Sequence, residues 1–123
     1  MWGMPVRDWL NAGLTVSAGS NTPAAIYDVT IPFCGQHALC TNQTLAGVLM
    51  PDQQISRAEM LRIYTINGTY SLGLENTLGS LEPGKAADFV VIDRNILTCA
   101  DSELASDEGP DDLRSCGLVY EQG

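Results

Sequence analysis

The feature that most constrains the fold is a short strand pattern that follows directly on a helix pattern near the start of the chain. The spacing of apolar residues over Met4–Asn11 predicts a helix, and Gly13 is suited to end it in the left-handed conformation. Leu14–Ser17 then reads as a buried strand that stops at small residues. A helix that leads straight into a buried strand is typical of a parallel sheet or barrel, so the fold class predicted is α/β.

The carboxyl end of this strand is the first place to look for chemistry. Asn21 is the first strongly polar residue after the small ones, and α/β folds hold their functional side chains at such strand ends. Asn before Thr-Pro is also a common turn residue, with a purely structural role. The residues alone leave both interpretations open.

The clearest helix follows in the middle of the chain. Ser56 and Glu59 have the spacing of a capping box, which predicts a helix over 57–72. Its apolar residues cover more than one face, so we expect more than one neighbouring element to pack on it. The Asn67-Gly68 pair predicts a bend inside it.

The last part of the chain is predicted to be rich in β-structure. Glu82–Lys85 has the proline and glycine positions of a type II turn. Ala86–Asp93 carries four consecutive apolar residues and predicts a buried strand, and Leu118–Tyr120 predicts a short final one. Between them, residues 101–112 are strongly acidic and predict a solvated loop.

The change of pattern divides the chain in two. Residues 1–78 carry the strand and helix patterns, and residues 79–123 carry the turn, the β-rich pattern and the acidic loop. Residues 36–48 have a weaker helix pattern, interrupted by Gly47. The boundary between a helical and a β-rich part is therefore predicted near residue 78.

Charge and hydropathy exclude several classes of partner. The net charge is −9 and there are only six basic residues, which argues against binding to nucleic acid. No apolar run approaches the roughly 18 residues that cross a bilayer, so no membrane span is predicted. The first residues lack the pattern of a signal peptide, which favours the cytoplasm.

The cysteines and the histidine leave three alternatives open. Cys34, His37 and Cys40 are spaced three residues apart, and a zinc ion would need Cys99 or Cys116 as a fourth ligand. A disulfide between Cys34 and Cys40 is the second alternative, and reduced, partly buried thiols are the third. Because the Cys-x2-Cys spacing of structural zinc sites is absent, we predict no cofactor held by this chain itself.

Three motifs, in order, resemble one enzyme family. They are GLTVSAGSNTPA at 13–24, ISRAEMLRIYTING at 55–68 and LGSLEPGKAADFVVID at 78–93. Together these motifs resemble the carboxyl-terminal part of metal-dependent amidohydrolases of the family 3 type. The third motif is the most specific of them.

The resemblance implies a fold, a reaction and a cofactor. Family members have a distorted (β/α)8 barrel around a divalent metal, with zinc favoured, and a small β-sandwich beside it. They hydrolyse carbon–nitrogen bonds other than peptide bonds, in small-molecule amide or N-acyl substrates, with metal-bound water. By this resemblance Leu14–Ser17 corresponds to the eighth barrel strand, the following helices close the barrel, and residues 80–93 supply sandwich strands.

Two departures from the family pattern bear on activity. Asn21 stands where the family has an aspartate, and an amide cannot take a proton from water at neutral pH. The family's histidine ligands have no counterpart, since the chain contains one histidine, and a complete barrel takes about 250 residues. We therefore expect the carboxyl-terminal portion of a hydrolase, inactive alone. The alternative is a non-catalytic pseudoenzyme or interaction module from the same family.

Overall fold

The computed structural model describes residues 3–19, 32–44, 47–92 and 94–104. Its elements, in chain order, are helices α1 and α2, a two-stranded antiparallel hairpin, a 3-10 helix, and helices α3, α4 and α5. Their bounds are α1 Val6–Asn11, α2 Pro32–Thr41, β1 Gln43–Thr44, β2 Gly47–Val48, the 3-10 helix Pro51–Gln53, α3 Arg57–Tyr64, α4 Ile66–Ser71 and α5 Asp101–Leu104.

The first helix forms largely as its sequence predicts. It starts at Val6, two residues later than predicted, with Pro5 as the residue before it, and it buries Val6. Gly13 follows with φ of +77°, and its amide donates to the carbonyl of Leu10. The predicted glycine stop is therefore confirmed.

The capping box is confirmed, but the helix after it is shorter than predicted. Ser56 accepts from the Glu59 amide, and the Glu59 carboxylate accepts from the Ser56 amide. The predicted helix over 57–72 is instead two helices, because the backbone at Thr65 departs from helical geometry. The Thr65 hydroxyl donates to the Leu61 carbonyl at 2.7 Å, which competes with the helix's own bonding at that turn.

The core lies where α1, α2 and α3 meet. Met60 and Ile63 of α3 are completely buried. The other buried apolar residues of the cluster come from α1, α2 and the segment before α3, and they are Val6, Leu39 and Ile55. A residue buried in this way adds roughly 1.5–3 kcal/mol relative to exposure, so this small cluster provides the main apolar contribution of the described part.

The Leu14–Ser17 segment differs from its prediction. The structure assigns no strand to it, and Leu14 is 57% exposed. A parallel strand exists only where neighbouring strands offer their backbone groups, and no other described segment pairs with these residues. The segment lies against α4 instead.

The β-rich part also differs from its prediction. Residues 86–92 form no strand, and Phe89, Val90 and Val91 are 57–65% exposed. The only paired strands in the described ranges are β1 and β2, with Gln43 opposite Val48 and Thr44 opposite Gly47. The reason is again the lack of a described partner strand, since high β-propensity alone supplies no backbone hydrogen bonds.

Two smaller predictions have opposite outcomes. The type II turn is confirmed, because Lys85 N donates to Glu82 O at 3.1 Å and Gly84 has φ of +92°. The weak helix pattern over 36–48 is wrong in its bounds, because α2 ends at Thr41 and the hairpin follows. The helix ends there as Asn42 adopts φ of +49°.

Several predictions fall outside the described residues. They concern most of the acidic loop, of which only residues 101–104 are described, and the final strand at Leu118–Tyr120. The division into parts at residue 78, the barrel and the sandwich remain predictions.

Candidate functional site

The predicted catalytic position, Asn21, lies outside the described residues. The structure does describe the segment that leads to it, Leu14–Gly19. In this segment Val16 and Ala18 are partly buried against the core cluster, while Ser17 and Gly19 are exposed. The segment before the predicted position therefore contacts the core through alternate residues, Val16 and Ala18.

Helix α4 makes the polar contacts to this segment. The Asn67 Nδ2 group donates to the Val16 carbonyl oxygen at 2.8 Å. The Ser71 Oγ lies 2.9 Å from Ser17 Oγ and 3.0 Å from the Asn67 carbonyl oxygen. The Val16 carbonyl, which a neighbouring strand would normally use, thus has a side-chain donor 51 residues away.

The strongest charged contact joins α1 to the start of α3. The Arg7 guanidinium binds both Glu59 carboxylate oxygens, with Nη1–Oε1 at 2.6 Å and Nη2–Oε2 at 2.7 Å. It also donates to the Gln54 carbonyl oxygen from Nε and Nη2. Such a two-pronged contact is among the stronger kinds of ion pair in proteins.

This contact fixes the protonation of Glu59. The hydrogen bond from Arg7 is the main reason that the pKa of Glu59 falls to about 2, with hydrogen bonds from Ser56 adding to it. A carboxylate with so low a pKa is a poor general base at neutral pH, because it has little affinity for a proton. Glu59 therefore acts as a structural clamp between the two helices.

The cysteine and histidine pattern does not assemble a metal site in the described part of the chain. No group of three or more His, Cys, Asp or Glu residues that could hold a metal occurs there. Cys40 and Cys99 are free thiols, which contradicts the predicted alternative of a Cys34–Cys40 disulfide. Burial raises the pKa of the Cys40 thiol. The side chain of Cys34 and residue Cys116 lie outside the described residues.

Arg57 attaches the later part of the chain to α3. Its Nη2 lies 2.5 Å from Asp101 Oδ1, and its Nη1 donates to the Ile96 carbonyl oxygen at 3.2 Å. The Cys99 sulfur is 4.0 Å from the same Nη1. This contact, together with buried Leu104, holds α5 in place next to α2.

Helix length and hydropathy give one further result. None of the helices in the described ranges combines the length and the apolar character that a membrane crossing needs.

The profile of the amidohydrolase family matches this sequence from residue 2 to residue 123. This chain belongs to the amidohydrolase family. The resemblance based on the three motifs is therefore confirmed. The family typically has a TIM-barrel-type fold. The described residues are mainly helical, with little strand.

Relatives of known name match most of this chain. It is 39% identical to the N-substituted formamide deformylase of Arthrobacter pascens over 101 residues. This aligned region is 81% of this chain and 18% of that protein. It is 40% identical over 86 residues to the probable imidazolonepropionase of Xenopus tropicalis, and this region is 70% of this chain and 17% of that protein. The imidazolonepropionase of Syntrophobacter fumaroxidans is 31% identical over 90 residues, and this region is 72% of this chain and 19% of that protein. The chain thus spans less than a fifth of these relatives, and no solved structure matches it.

Amidohydrolases are generally metal-dependent, so the residues of this chain can be tested against a metal site. Catalytic zinc is typically held by three protein ligands, drawn from histidine, cysteine and carboxylate side chains. This chain has one histidine, His37, and the described part gathers no three candidate ligands around any point. The described residues therefore do not fit a divalent metal.

Proposed function

We propose that this chain is the carboxyl-terminal portion of a hydrolase that cleaves carbon–nitrogen bonds other than peptide bonds. Its substrates are small amides or N-acyl compounds, and its water is activated on a divalent metal held by residues outside this chain. The observation that carries the proposal is the family match over 2–123, together with the 39% identity to an N-substituted formamide deformylase.

We further propose that this chain by itself is inactive. Two features support this part of the proposal. Asn21 stands where the family resemblance expects an aspartate, and an amide cannot act as a general base at neutral pH. Glu59, a carboxylate near the start of α3, is held ionised by Arg7 and is occupied by that contact.

The test measures metal binding and hydrolysis on the purified chain. The chain is incubated with zinc, passed through gel filtration, and analysed for bound metal. It is then assayed with an N-substituted formamide and with N-acyl amino acids. We expect no stoichiometric zinc and no hydrolysis. Bound zinc with turnover of either substrate class would contradict the inactivity.

A matched variant separates the two departures from the family pattern. Asn21→Asp restores the carboxylate and leaves the histidine content unchanged. We expect this variant to stay inactive, because the metal ligands are still missing. Turnover by Asn21→Asp, with none by the parent chain, would show that the amide of Asn21, and not the small number of histidines, prevents hydrolysis.

The second candidate function is a non-catalytic interaction module of the same family. The exposure of Phe89, Val90 and Val91 favours it, because an apolar patch of this kind is a usual feature of interaction surfaces. A purified chain that stays monomeric and unfolds in one cooperative transition would favour the module, whereas aggregation would favour the portion of a larger enzyme.

A further inference from the structure

The two free thiols in the described ranges belong to segments that meet at the start of α3. The Cys99 sulfur lies 4.0 Å from Arg57 Nη1, in the stretch that leads into α5. Arg57 holds this stretch on both sides of the cysteine, since its guanidinium also contacts the Ile96 carbonyl oxygen and the Asp101 carboxylate. Three contacts to one side chain therefore fix Cys99 beside the helical cluster.

Cys40 approaches the same point from the last turn of α2. On one side of it, the Leu39 carbonyl accepts from the Ile55 amide at 3.3 Å. On the other side, the Thr41 carbonyl accepts from Gln54 Nε2 at 2.6 Å. These two hydrogen bonds place the turn that carries Cys40 against the residues immediately before α3.

Packing and electrostatics agree with this placement. Helix α5 packs directly on α2, and Leu104 of α5 is buried there. The charges of Arg57 and Asp101, which flank Cys99, also act on the Cys40 thiol. Both cysteines are partly buried and partly accessible, so a small reagent can reach them in the folded chain.

We propose that Cys40 and Cys99 form a redox-sensitive pair, which a small-molecule disulfide such as oxidised glutathione converts into a disulfide between α2 and the stretch before α5. This inference goes beyond the proposed hydrolase function and does not depend on it.

Two exchange steps make this bond, and each step is balanced. Cys99 loses its S–H proton to solvent, and its sulfur attacks one sulfur of the reagent, which releases one glutathione. Cys40 then attacks the Cys99 sulfur of the mixed disulfide and releases the second glutathione. The two cysteines give up two electrons and two protons, and the reagent is reduced to two thiols. Burial raises the pKa of the Cys40 thiol, so Cys40 is the slower nucleophile and acts second.

The bond changes how the last described segment is attached. In the reduced chain, residues 96–104 are held by the contacts of Arg57 and by the buried Leu104. The Asp101 carboxylate in this ion pair is 66% exposed, and exposed pairs contribute little to stability. The disulfide adds a covalent link at this place, so the attachment of the segment depends on the redox state.

The test maps the disulfides that oxidised glutathione forms in the reduced 123-residue chain. Remaining thiols are alkylated, and linked peptides are identified by mass spectrometry. In the folded chain we expect Cys40–Cys99 as the major pair and a fall from four free thiols to two. The control is the same chain in concentrated urea. There Cys34–Cys40 and Cys99–Cys116 should dominate, because short loops close at the lowest entropy cost.

Single variants separate the pair from general thiol reactivity. Cys40→Ser should stop at a mixed disulfide on Cys99, whereas the matched control Cys34→Ser should still form the Cys40–Cys99 bond. Three results for the parent chain would each overturn the proposal: a persistent mixed disulfide, a different major pair, or the same pairs with and without urea. None of them involves hydrolysis, so failure here is distinct from failure of the proposed function.

Discussion

Two regions of the molecule that carry apolar residues have opposite environments. The contact of α1, α2 and α3 buries Met60 and Ile63 completely. The segment 86–92 has the stronger β-propensity, and yet Phe89 is 65% exposed. A helix satisfies its backbone groups from its own residues, whereas a strand needs a second strand. The difference shows that the helical cluster is self-contained in the described chain, and the β-rich segment is not.

The largest expected effect compares one buried and one exposed apolar residue. Met60→Ala leaves a cavity in the core and should lower the free energy of unfolding by about 2–5 kcal/mol. Phe89→Ala is the matched control and should change it by less than about 0.5 kcal/mol, because Phe89 already faces solvent. Urea unfolding followed by circular dichroism measures both. An equal decrease in the free energy of unfolding for Met60→Ala and Phe89→Ala would mean that the two regions are equally packed.

A smaller effect tests the clamp that holds the helical cluster together. Glu59→Gln removes the charge that Arg7 binds, and should cost about 1 kcal/mol at neutral pH because the pair is partly exposed and screened. The pKa of Glu59 is about 2 in the folded chain and near 4.3 when unfolded, so its stabilisation is present above pH 4.3 and disappears as the pH falls toward 2.

The measurement is the free energy of unfolding of both chains at a series of pH values. The difference between parent and Glu59→Gln should be present at pH 7 and shrink through pH 4.3 to 2. Glu82→Gln serves as the control, because this carboxylate is more exposed than Glu59 and pairs only with its near neighbours Ser80 and Lys85, so it should show a smaller difference. A gap between parent and Glu59→Gln that stays constant down to pH 2 would contradict the clamp.

The features that sequence predicted correctly are local ones. The capping box of Ser56 and Glu59, the stop at Gly13 and the turn at Glu82–Lys85 each involve residues within four positions of one another. Backbone geometry and one or two side chains decide such features. The family assignment was also accessible, because its motifs are contiguous.

The features that sequence missed are long-range ones. Arg7 and Glu59 are 52 positions apart, and Asn67 and Val16 are 51 apart. The sequence identified Glu59 only as part of a capping box, and the pattern of α1 did not predict that Arg7 would bind it. The strands predicted at Leu14–Ser17 and 86–93 failed for a related reason. Their propensity was read correctly, but pairing depends on partners that local sequence does not specify.

In the candidate site, too, the local feature was predicted from sequence and the long-range contact was not. The place of Asn21 followed from the strand-end pattern and the family motif, and it remains a prediction because the residue lies outside the described part. The contact between Asn67 and Val16 had no sequence signal except that both residues lie within family motifs.

The most direct test of the contrast between the two regions is amide hydrogen exchange on the 123-residue chain. No backbone amide from 87 to 92 donates a hydrogen bond to another described residue, whereas the α3 amides are bonded within their helix. We predict that residues 87–92 exchange near the rate of an unfolded chain and that α3, around Met60 and Ile63, is the most protected part. Protection of 87–92 equal to that of α3 would contradict the account, because it would mean that this chain itself covers its β-rich segment.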